Sequence, residues 1–343
     1  MENEIENFKL IVHIGTGKAG STSIQQTLNQ QQALLNEHKV MYCGLMFEHA
    51  RSLFPWQRID GWVHFSKLNK AIAQKQLREV LLTTIAELTK RGFHTAIWSN
   101  ETIFINSEVV IATLEEIAQM GADIAAIAYI RRHDAWARSA YLQWGIRHKT
   151  YRGKVKSFKD WYADNPVEFG ENLKPWLNQP WLEMSVRNFD ACDDVVADFL
   201  QCVELESVGI EPVRSHSTPS PVSLALWSLF NSQFEGVVSP VELNALLGNS
   251  GVLSTSFVDC DFNSLIPTLE LLEEVKEESA ADRQFLNDVF EASNQPEIST
   301  SSLKNKDMQV TDRQIHAALL MIVRYQTQCI NQLNSRLKKL EEQ

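Results

Sequence analysis

Residues 8–23 read FKLIVHIGTGKAGSTS, and this stretch decides the fold. The apolar run FKLIVHI ends at Gly15, as expected for a buried strand of a parallel sheet. Three glycines then allow the backbone to approach a ligand closely, and a segment with helical spacing begins at Ser21. A strand, a glycine-rich loop and a helix in this order bind phosphate, because amide N–H groups of the loop and first helical turn point at the anion.

The polar residues of this loop fit an anion but not the usual ATP site. Lys18 adds a positive charge, and Ser21 and Thr22 add hydroxyl groups. In the nucleotide-hydrolase loop GxxxxGK[ST], the lysine directly follows the last glycine and the next hydroxyl binds Mg²⁺. Here the lysine precedes Gly20 by two residues, and the fourth predicted strand ends in arginine rather than a carboxylate. The sequence therefore argues against ordinary ATP–Mg²⁺ chemistry.

The rest of the first two thirds alternates strands and helices, which predicts an open parallel sheet flanked by helices. Four further short segments predict strands, and amphipathic runs between most of them predict helices. The strands are expected at 39–43, 94–98, 122–130 and 182–189, and the helices at 21–36, 67–91, 107–119, 135–147 and 193–203. His13 lies inside the first strand, where a hydrogen-bonded core histidine is expected, although a role as base remains open.

A second anion signal follows the fourth strand, in the stretch YIRRHDAWARSAY. Arg131 stands at the carboxyl end of that strand, where an open sheet forms its ligand crevice, and a guanidinium can bind a phosphate with two hydrogen bonds. Ser139 follows eight residues later on the next helix. Nine Lys and Arg residues against one acid between 131 and 159 predict a local anion site in a chain of net charge −11, with a solvated basic surface as the alternative.

The loop KAGST and the Arg131–Ser139 pair together resemble the two cofactor motifs of the sulfotransferases that use 3′-phosphoadenosine 5′-phosphosulfate (PAPS). WSNETIF, VRNFDACDDVVADFL and DRQFLNDVFEASN are similar to later segments of bacterial, glycan-type members, so the resemblance spans about residues 8–295. It departs from the family at Ala19, where Thr or Ser is usual.

The resemblance implies a P-loop-like sulfotransferase fold and transfer of a sulfuryl group to a hydroxyl or amine of a glycan, glycolipid or small metabolite. It implies that the loop holds the 5′ side of PAPS, that Arg131 and Ser139 hold the 3′-phosphate, and that no metal is required. Lys18 would stabilise the leaving oxygen of 3′-phosphoadenosine 5′-phosphate (PAP). The implied cofactor-binding loop residues are Gly15, Thr16, Gly17, Lys18, Ala19, Gly20, Ser21 and Thr22.

A general base is also needed, and the sequence leaves it open. Glu101, just after the third strand, is the first candidate, because it would face the crevice; a capping or salt-bridged role is the alternative. His64 is the second candidate, and Glu48 and His49 in the same aromatic loop are further rivals.

The chain is expected to comprise a core at 8–210, a mainly helical elaboration at 211–300 and an amphipathic helix at 307–343. The proline-rich stretch EPVRSHSTPSP at 211–221 marks the first boundary. The final helix either packs back on the domain or pairs two copies as a homodimer.

Bulk composition excludes several classes. Net charge −11 excludes a general nucleic-acid binder, and five scattered cysteines favour reduced thiols over disulfides or a zinc site. No apolar run approaches the length of about 18 residues of a spanning helix, and the first strand begins near residue 8, so a cytoplasmic location is expected. The competing functions are an atypical P-loop kinase or ATPase and a relative that binds nucleotide or glycan without turnover.

Overall fold

The computed structural model describes residues 5–213, 221–246, 260–303 and 308–341. Five parallel strands form one sheet in the order β2-β3-β1-β4-β5. This confirms the predicted parallel α/β sheet with a helical C-terminal part, whereas its assignment to the sulfotransferase version of a P-loop fold stays a prediction. The strands are β1 (Lys9–Gly15), β2 (Val40–Tyr42), β3 (Thr95–Ser99), β4 (Asp123–Ile130) and β5 (Glu183–Asn188).

Helices occupy most of the remaining described residues. They are α1 (Ser21–Gln30), α2 (Gln32–Glu37), α3 (Trp62–Phe65), α4 (Lys70–Lys90), α5 (Ser107–Gln119), α6 (His133–Ala140), α7 (Phe158–Asp164), α8 (Phe169–Leu177), α9 (Val195–Cys202), α10 (Pro221–Asn231), α11 (Pro240–Leu246), α12 (Phe262–Leu265), α13 (Leu269–Glu278), α14 (Ala280–Ala292) and α15 (Asp312–Glu341). A π-helix, Tyr141–Arg147, continues α6.

Contacts divide the chain into two compact units that interleave along the sequence. The first comprises residues 1–133, 168–216 and 278–300, and the second comprises 134–167, 217–277 and 301–343. The sequence suggested sequential boundaries near 210 and 300 instead. The difference arises because residues 134–167 group with later helices, and residues 278–300 group with the sheet unit. Most of the proline-rich boundary stretch lies outside the described residues.

Helices cover the sheet, which explains why the residues of its central strands are nearly all apolar. Side chains of β1, β3 and β4, such as Ile11, Ile97 and Ile127, pack on one face against α1 and α9. Along the chain, β1 leads to β2 and β3 on one side, and β4 and β5 lie on the other. The strand order therefore reverses between β1 and β4, and an open parallel sheet binds ligands at the carboxyl ends of the strands flanking such a reversal.

Local sequence signals located most elements to within a few residues, with three differences. The helix predicted at 21–36 divides at Gln31 into α1 and α2. The helix predicted over 135–147 changes to a π-helix at Tyr141. The helices α3, α7, α8, α12 and α13 were not predicted individually. At the start of α15, Thr311 and Gln314 form a capping box: Thr311 N–H donates to Gln314 Oε1 at 2.8 Å, and Gln314 N–H donates to Thr311 Oγ1 at 3.3 Å. Within the described ranges, no helix combines the length and apolar character needed to cross a bilayer.

A charged network joins β4, β5 and α9 in the first unit. Tyr129 Oη and Arg187 Nε donate to Asp198 Oδ1 at 2.7 and 2.9 Å, and Arg187 also donates to Asp198 Oδ2. Burial alone would raise the pKa of Asp198, but the hydrogen bonds from Arg187 and Tyr129 outweigh it and hold the pKa below its usual value. The network fixes the segment that follows β5 against the sheet.

Asp198→Asn is expected to lower the free energy of unfolding by about 2 kcal/mol near neutral pH, because it leaves the Arg187 guanidinium without its carboxylate. A carboxylate with a lowered folded-state pKa stabilises the fold above its unfolded pKa of about 4, and loses that contribution as the pH falls through the folded value. Urea unfolding from about pH 7 down to about pH 2 should therefore show the difference shrink. The exposed Asp193→Asn is the control; a difference that is independent of pH would contradict an ionic role for Asp198.

Candidate functional site

The glycine-rich loop connects β1 to α1 across residues 16–20 and is fixed by hydrogen bonds to β4. The amide N–H and Oγ1 of Thr16 both donate to the carbonyl oxygen of Tyr129, at 2.9 and 3.0 Å. Ser21 Oγ donates to the carbonyl oxygen of Thr16 at 3.0 Å. The two hydroxyls therefore hold the loop in shape, whereas Thr22 on the first turn of α1 is exposed. The methyl group of Ala19 is fully buried in the core against α1 and α9.

The amino terminus of α1 suits an anion. Gly20 precedes the helix in the left-handed conformation, with φ of 85°. Among the described residues, no side chain caps this helix and no acidic residue lies in its first turn. The first amide N–H groups of a helix have no partner within it, and the helix dipole favours negative charge at this end. These features suit the predicted phosphate cradle, which stays a prediction.

Gly15 marks a close approach between the loop and β3. Its φ is 105°, and a Cβ atom there would lie 2.8 Å from Cβ and 3.0 Å from Cα of Glu101. The absence of a side chain at Gly15 is therefore what lets Glu101, two residues after the end of β3, lie directly against the start of the loop.

Gly15→Ala is expected to lower the free energy of unfolding by about 2 kcal/mol or more, because the added methyl group meets backbone that cannot move independently. Gly92→Ala is a matched control: φ is 76°, yet a Cβ there meets none of the described atoms within 4 Å. The Gly92→Ala control should lose about 1 kcal/mol of unfolding free energy, which is the cost of placing a side chain at positive φ. Thermal unfolding of both variants provides the measurement, and equal losses would show that contact with Glu101 is unimportant.

Arg131 lies beside the loop, as the order of the strands predicts. It directly follows β4, and its Nη1 donates to the carbonyl oxygen of Lys18 at 3.0 Å. The guanidinium also lies over the ring of Phe189, with 5.4 Å from Cζ to the ring centre. Lys18 itself has φ of 67°, in the left-handed region. Two cationic residues, 113 positions apart in the chain, thus meet at one loop.

Glu101 is the candidate base that the structure brings to this loop. It opens a short 3₁₀ turn, Glu101–Ile103, immediately after Asn100, whose side chain accepts a hydrogen bond from Thr102 N–H. Its Oε2 accepts a hydrogen bond of 2.8 Å from Nε2 of Gln25 on α1. The side chain is half-buried, so it is oriented by Gln25 and remains accessible.

The other carboxylate candidate is committed to its own loop. The two carboxylate oxygens of Glu48 accept hydrogen bonds from the amide N–H groups of Leu45 and Met46, at 3.0 and 2.7 Å. They also lie where a side chain at Gly44 would be. Glu48 therefore closes the turn after β2, which is a structural use of the carboxylate.

The histidine candidates lie elsewhere in the first unit. His64 on α3 is exposed, and its Nε2 is 3.0 Å from a guanidinium nitrogen of Arg58. His49 has its Nε2 3.3 Å from the amide nitrogen of Gln32, and its ring lies 5.6 Å from that of Tyr42. Neither contact joins these histidines to the loop at residues 16–20.

His13 is a core residue, as expected. It is fully buried in β1, and its Nδ1 is 2.7 Å from Oγ of Ser99 on β3. Burial lowers the pKa of His13 to about 3, so the imidazole is neutral at physiological pH. The pair joins the carboxyl ends of the two strands that carry the loop and Glu101.

The pKa of Tyr42 responds to the carboxylates at this edge of the sheet. Burial raises its pKa, and the nearby groups of Glu48, Cys43 and Glu101 raise it further. Burial and two nearby carboxylates thus act on one phenol, and the Tyr42 hydroxyl stays protonated at physiological pH.

The predicted basic stretch contributes fewer surface charges than its sequence suggests. Within the second unit, the side chain of Lys149 is fully buried and donates to the carbonyl oxygens of Gly153 and Phe234. Lys156 pairs with Asp164, and the guanidinium of Arg147 stacks over Trp227. Lys149 therefore does not add to a surface anion site, because its ammonium group is buried and fixes a turn. Ser139 is half-buried on α6, and its role stays a prediction.

Sequence reasoning missed Gln25 and Phe189, which orient Glu101 and Arg131. No local pattern distinguishes Gln25 from the neighbouring Gln26, because its partner lies 76 positions away. No protein-family model matches this sequence, and no curated protein matches it at a significant level. A function for this chain therefore has to follow from its own residues.

Proposed function

We propose that this chain is a sulfotransferase that moves a sulfuryl group from PAPS to a hydroxyl or amine of an acceptor and releases PAP. One observation carries the proposal: Lys18, Arg131 and Glu101 converge on a single phosphate-type loop. Two cations and helix amides suit the anionic donor, and a carboxylate suits the proton of the acceptor. The acceptor belongs to a glycan, a glycolipid or a small metabolite.

In sulfuryl transfer the protein mainly positions the reactants and stabilises charge. As the acceptor oxygen bonds to sulfur, the bond from sulfur to the phosphate oxygen breaks, and charge grows on that oxygen. Lys18 would neutralise this charge, as a metal does in phosphoryl transfer. Glu101 would accept the proton that the acceptor hydroxyl loses. Sulfate carries less charge than phosphate, which makes a lysine sufficient.

The position of Lys18 also favours this donor over ATP. The residue after Gly20 is Ser21, whose hydroxyl donates to the carbonyl oxygen of Thr16 within the loop. In an ATPase loop the corresponding hydroxyl binds Mg²⁺. Arg131 rather than a carboxylate follows β4. Both features support a donor that is bound by cations alone.

The proposal is tested by titration calorimetry of the full chain with PAP, and separately with ATP and Mg²⁺. We expect PAP to bind without metal and with a Kd of micromolar order or tighter, and ATP to bind at least about tenfold more weakly. Transfer of ³⁵S from labelled PAPS to a panel of polysaccharides, glycolipids and small hydroxyl compounds would then identify the acceptor class. Binding of ATP–Mg²⁺ with no binding of PAP would overturn the proposal in favour of a kinase or ATPase. PAP binding without transfer to any acceptor would favour a non-catalytic relative.

Gln25→Ala is expected to lower kcat about tenfold while PAP affinity changes by less than about twofold, because the lost hydrogen bond orients Glu101 and not the donor. Gln26→Ala on the exposed side of the same helix is the control and should have no effect. Steady-state rates and calorimetry distinguish the two effects. A loss of PAP affinity in Gln25→Ala would show that this side chain supports the phosphate loop instead.

A further inference from the structure

The final helix, α15, uses one face to pack within the second unit. Its half-buried residues recur at helical spacing, and the helix contacts α10. These residues are Ile315, Ala318, Ile322, Gln326 and Cys329. From residue 330 to residue 338 every side chain is exposed. Packing on its own unit therefore accounts for only part of the apolar surface of this helix.

A second apolar stripe on α15 is exposed throughout. Six residues, each between 43% and 68% exposed, follow the alternating spacing of three and four that places side chains on one seam: Leu319, Val323, Ile330, Leu333, Leu337 and Leu340. In a heptad register they occupy a (Val323, Ile330, Leu337) and d (Leu319, Leu333, Leu340), and Gln326 occupies the remaining d position. Exposure of six aliphatic side chains in one line is unfavourable in water, at about 25 cal/mol for each Å².

The residue types in this stripe indicate which partner covers it. β-Branched residues at a with leucine at d favour two parallel strands over three or four. Two of the three a positions, Val323 and Ile330, are β-branched, and three of the four d positions are leucine. By sequence, Arg336 stands at g and Glu341 stands five residues later at e, so two parallel copies in register bring opposite charges together on both sides of the seam.

We propose that α15 pairs with the same helix of a second copy of this chain as a parallel, two-stranded coiled coil. The half-buried face packs within each protomer, and the exposed stripe packs between protomers. The exposed segment from Ile330 to Leu340 forms most of the seam, with Leu319 and Val323 extending it. This dimer does not depend on the function proposed above.

Sedimentation equilibrium of the full chain tests the dimer. We expect twice the chain mass at micromolar concentration, and Leu333→Glu should weaken association at least about a hundredfold, since it puts two carboxylates opposite each other in the seam. Met321→Glu is matched in charge and in exposure, at 60%, but lies at f, away from the seam. It should remain dimeric. Circular dichroism should show equal helix content in all three proteins; if Leu333→Glu loses helix content, Leu340→Glu replaces it.

A charge exchange tests the parallel arrangement. Arg336→Glu alone and Glu341→Lys alone should each weaken the dimer several-fold, and the double variant should restore it, because the g–e′ pairs form again. A monomeric wild type at about 100 μM, a trimer, or a dimer that survives Leu333→Glu would overturn the proposal. Failure of the double variant to restore association would overturn the parallel arrangement. Binding of the wild type to anionic phospholipid vesicles as a monomer would assign the stripe to a membrane surface instead.

Discussion

Lys18→Ala is expected to lower the rate of sulfuryl transfer from PAPS about 10³-fold, because the lysine would stabilise charge on the leaving group. Lys18 lies in the loop between β1 and α1, and its carbonyl oxygen accepts the hydrogen bond from Arg131. The backbone contact remains when the side chain is removed, so the loop should keep its shape. What is lost is the ammonium group that would neutralise the leaving phosphate oxygen. That charge develops in the transition state, so kcat should fall far more than the affinity for PAP.

Single-turnover transfer of ³⁵S together with calorimetric titration of PAP measures both quantities. Lys9→Ala provides the control, because Lys9 begins the same strand and pairs with Glu204 at the opposite end of the sheet. It should leave transfer unchanged. A Lys18→Ala protein that transfers at the wild-type rate would exclude the lysine from the chemistry, whatever its affinity for PAP.

Glu101→Gln is expected to lower kcat about 10³-fold as well, with PAP affinity within about threefold of wild type. Glutamine has nearly the same shape and can still contact Gln25, whose Nε2 is 2.8 Å from Oε2 of Glu101 in the wild-type chain. It cannot accept a proton at neutral pH, however. The predicted effect therefore isolates proton transfer from positioning.

Glu48→Gln separates the two carboxylates that the sequence left as rivals. The Glu48 carboxylate accepts two amide hydrogen bonds in the turn after β2. Replacing it with an amide should therefore lower stability and change kcat by less than about tenfold. Equal and large losses of kcat in both variants would favour a shared role. A large loss in Glu48→Gln alone would move the base from Glu101 to the turn after β2.

The strands and their order of appearance were predictable from local patterns. Buried parallel strands are short apolar runs closed by glycine or polar residues, and β1, β3 and β4 follow that rule, whereas β5 is more polar. The capping box at Thr311 and the helix end at Gly92 are equally local, since they depend on residues within one turn. The helices α7 and α8 were missed because they are short, and because α8 contains Gly170 and Pro175, which argue against a helix.

The pairing of strands was not predictable from those patterns, and it determines the site. Because β1 lies between β3 and β4, the residues that follow these three strands meet at one edge. This order explains why Glu101 and Arg131 both reach the loop. Glu48 follows β2, at the edge of the sheet, and is used to close a turn.

The sequence by itself determined that a phosphate-type loop joins a buried strand to a helix, since glycines, a lysine and hydroxyls within ten residues specify that local geometry. It also marked Arg131 as a residue at the end of a strand. Only the tertiary structure decided which carboxylate lies against Gly15, that Gln25 orients it, and that Lys149 is buried instead of exposed. The physical reason is the same in each case. These contacts join residues that are far apart in the chain, and strand pairing and packing, rather than local backbone preferences, bring them together.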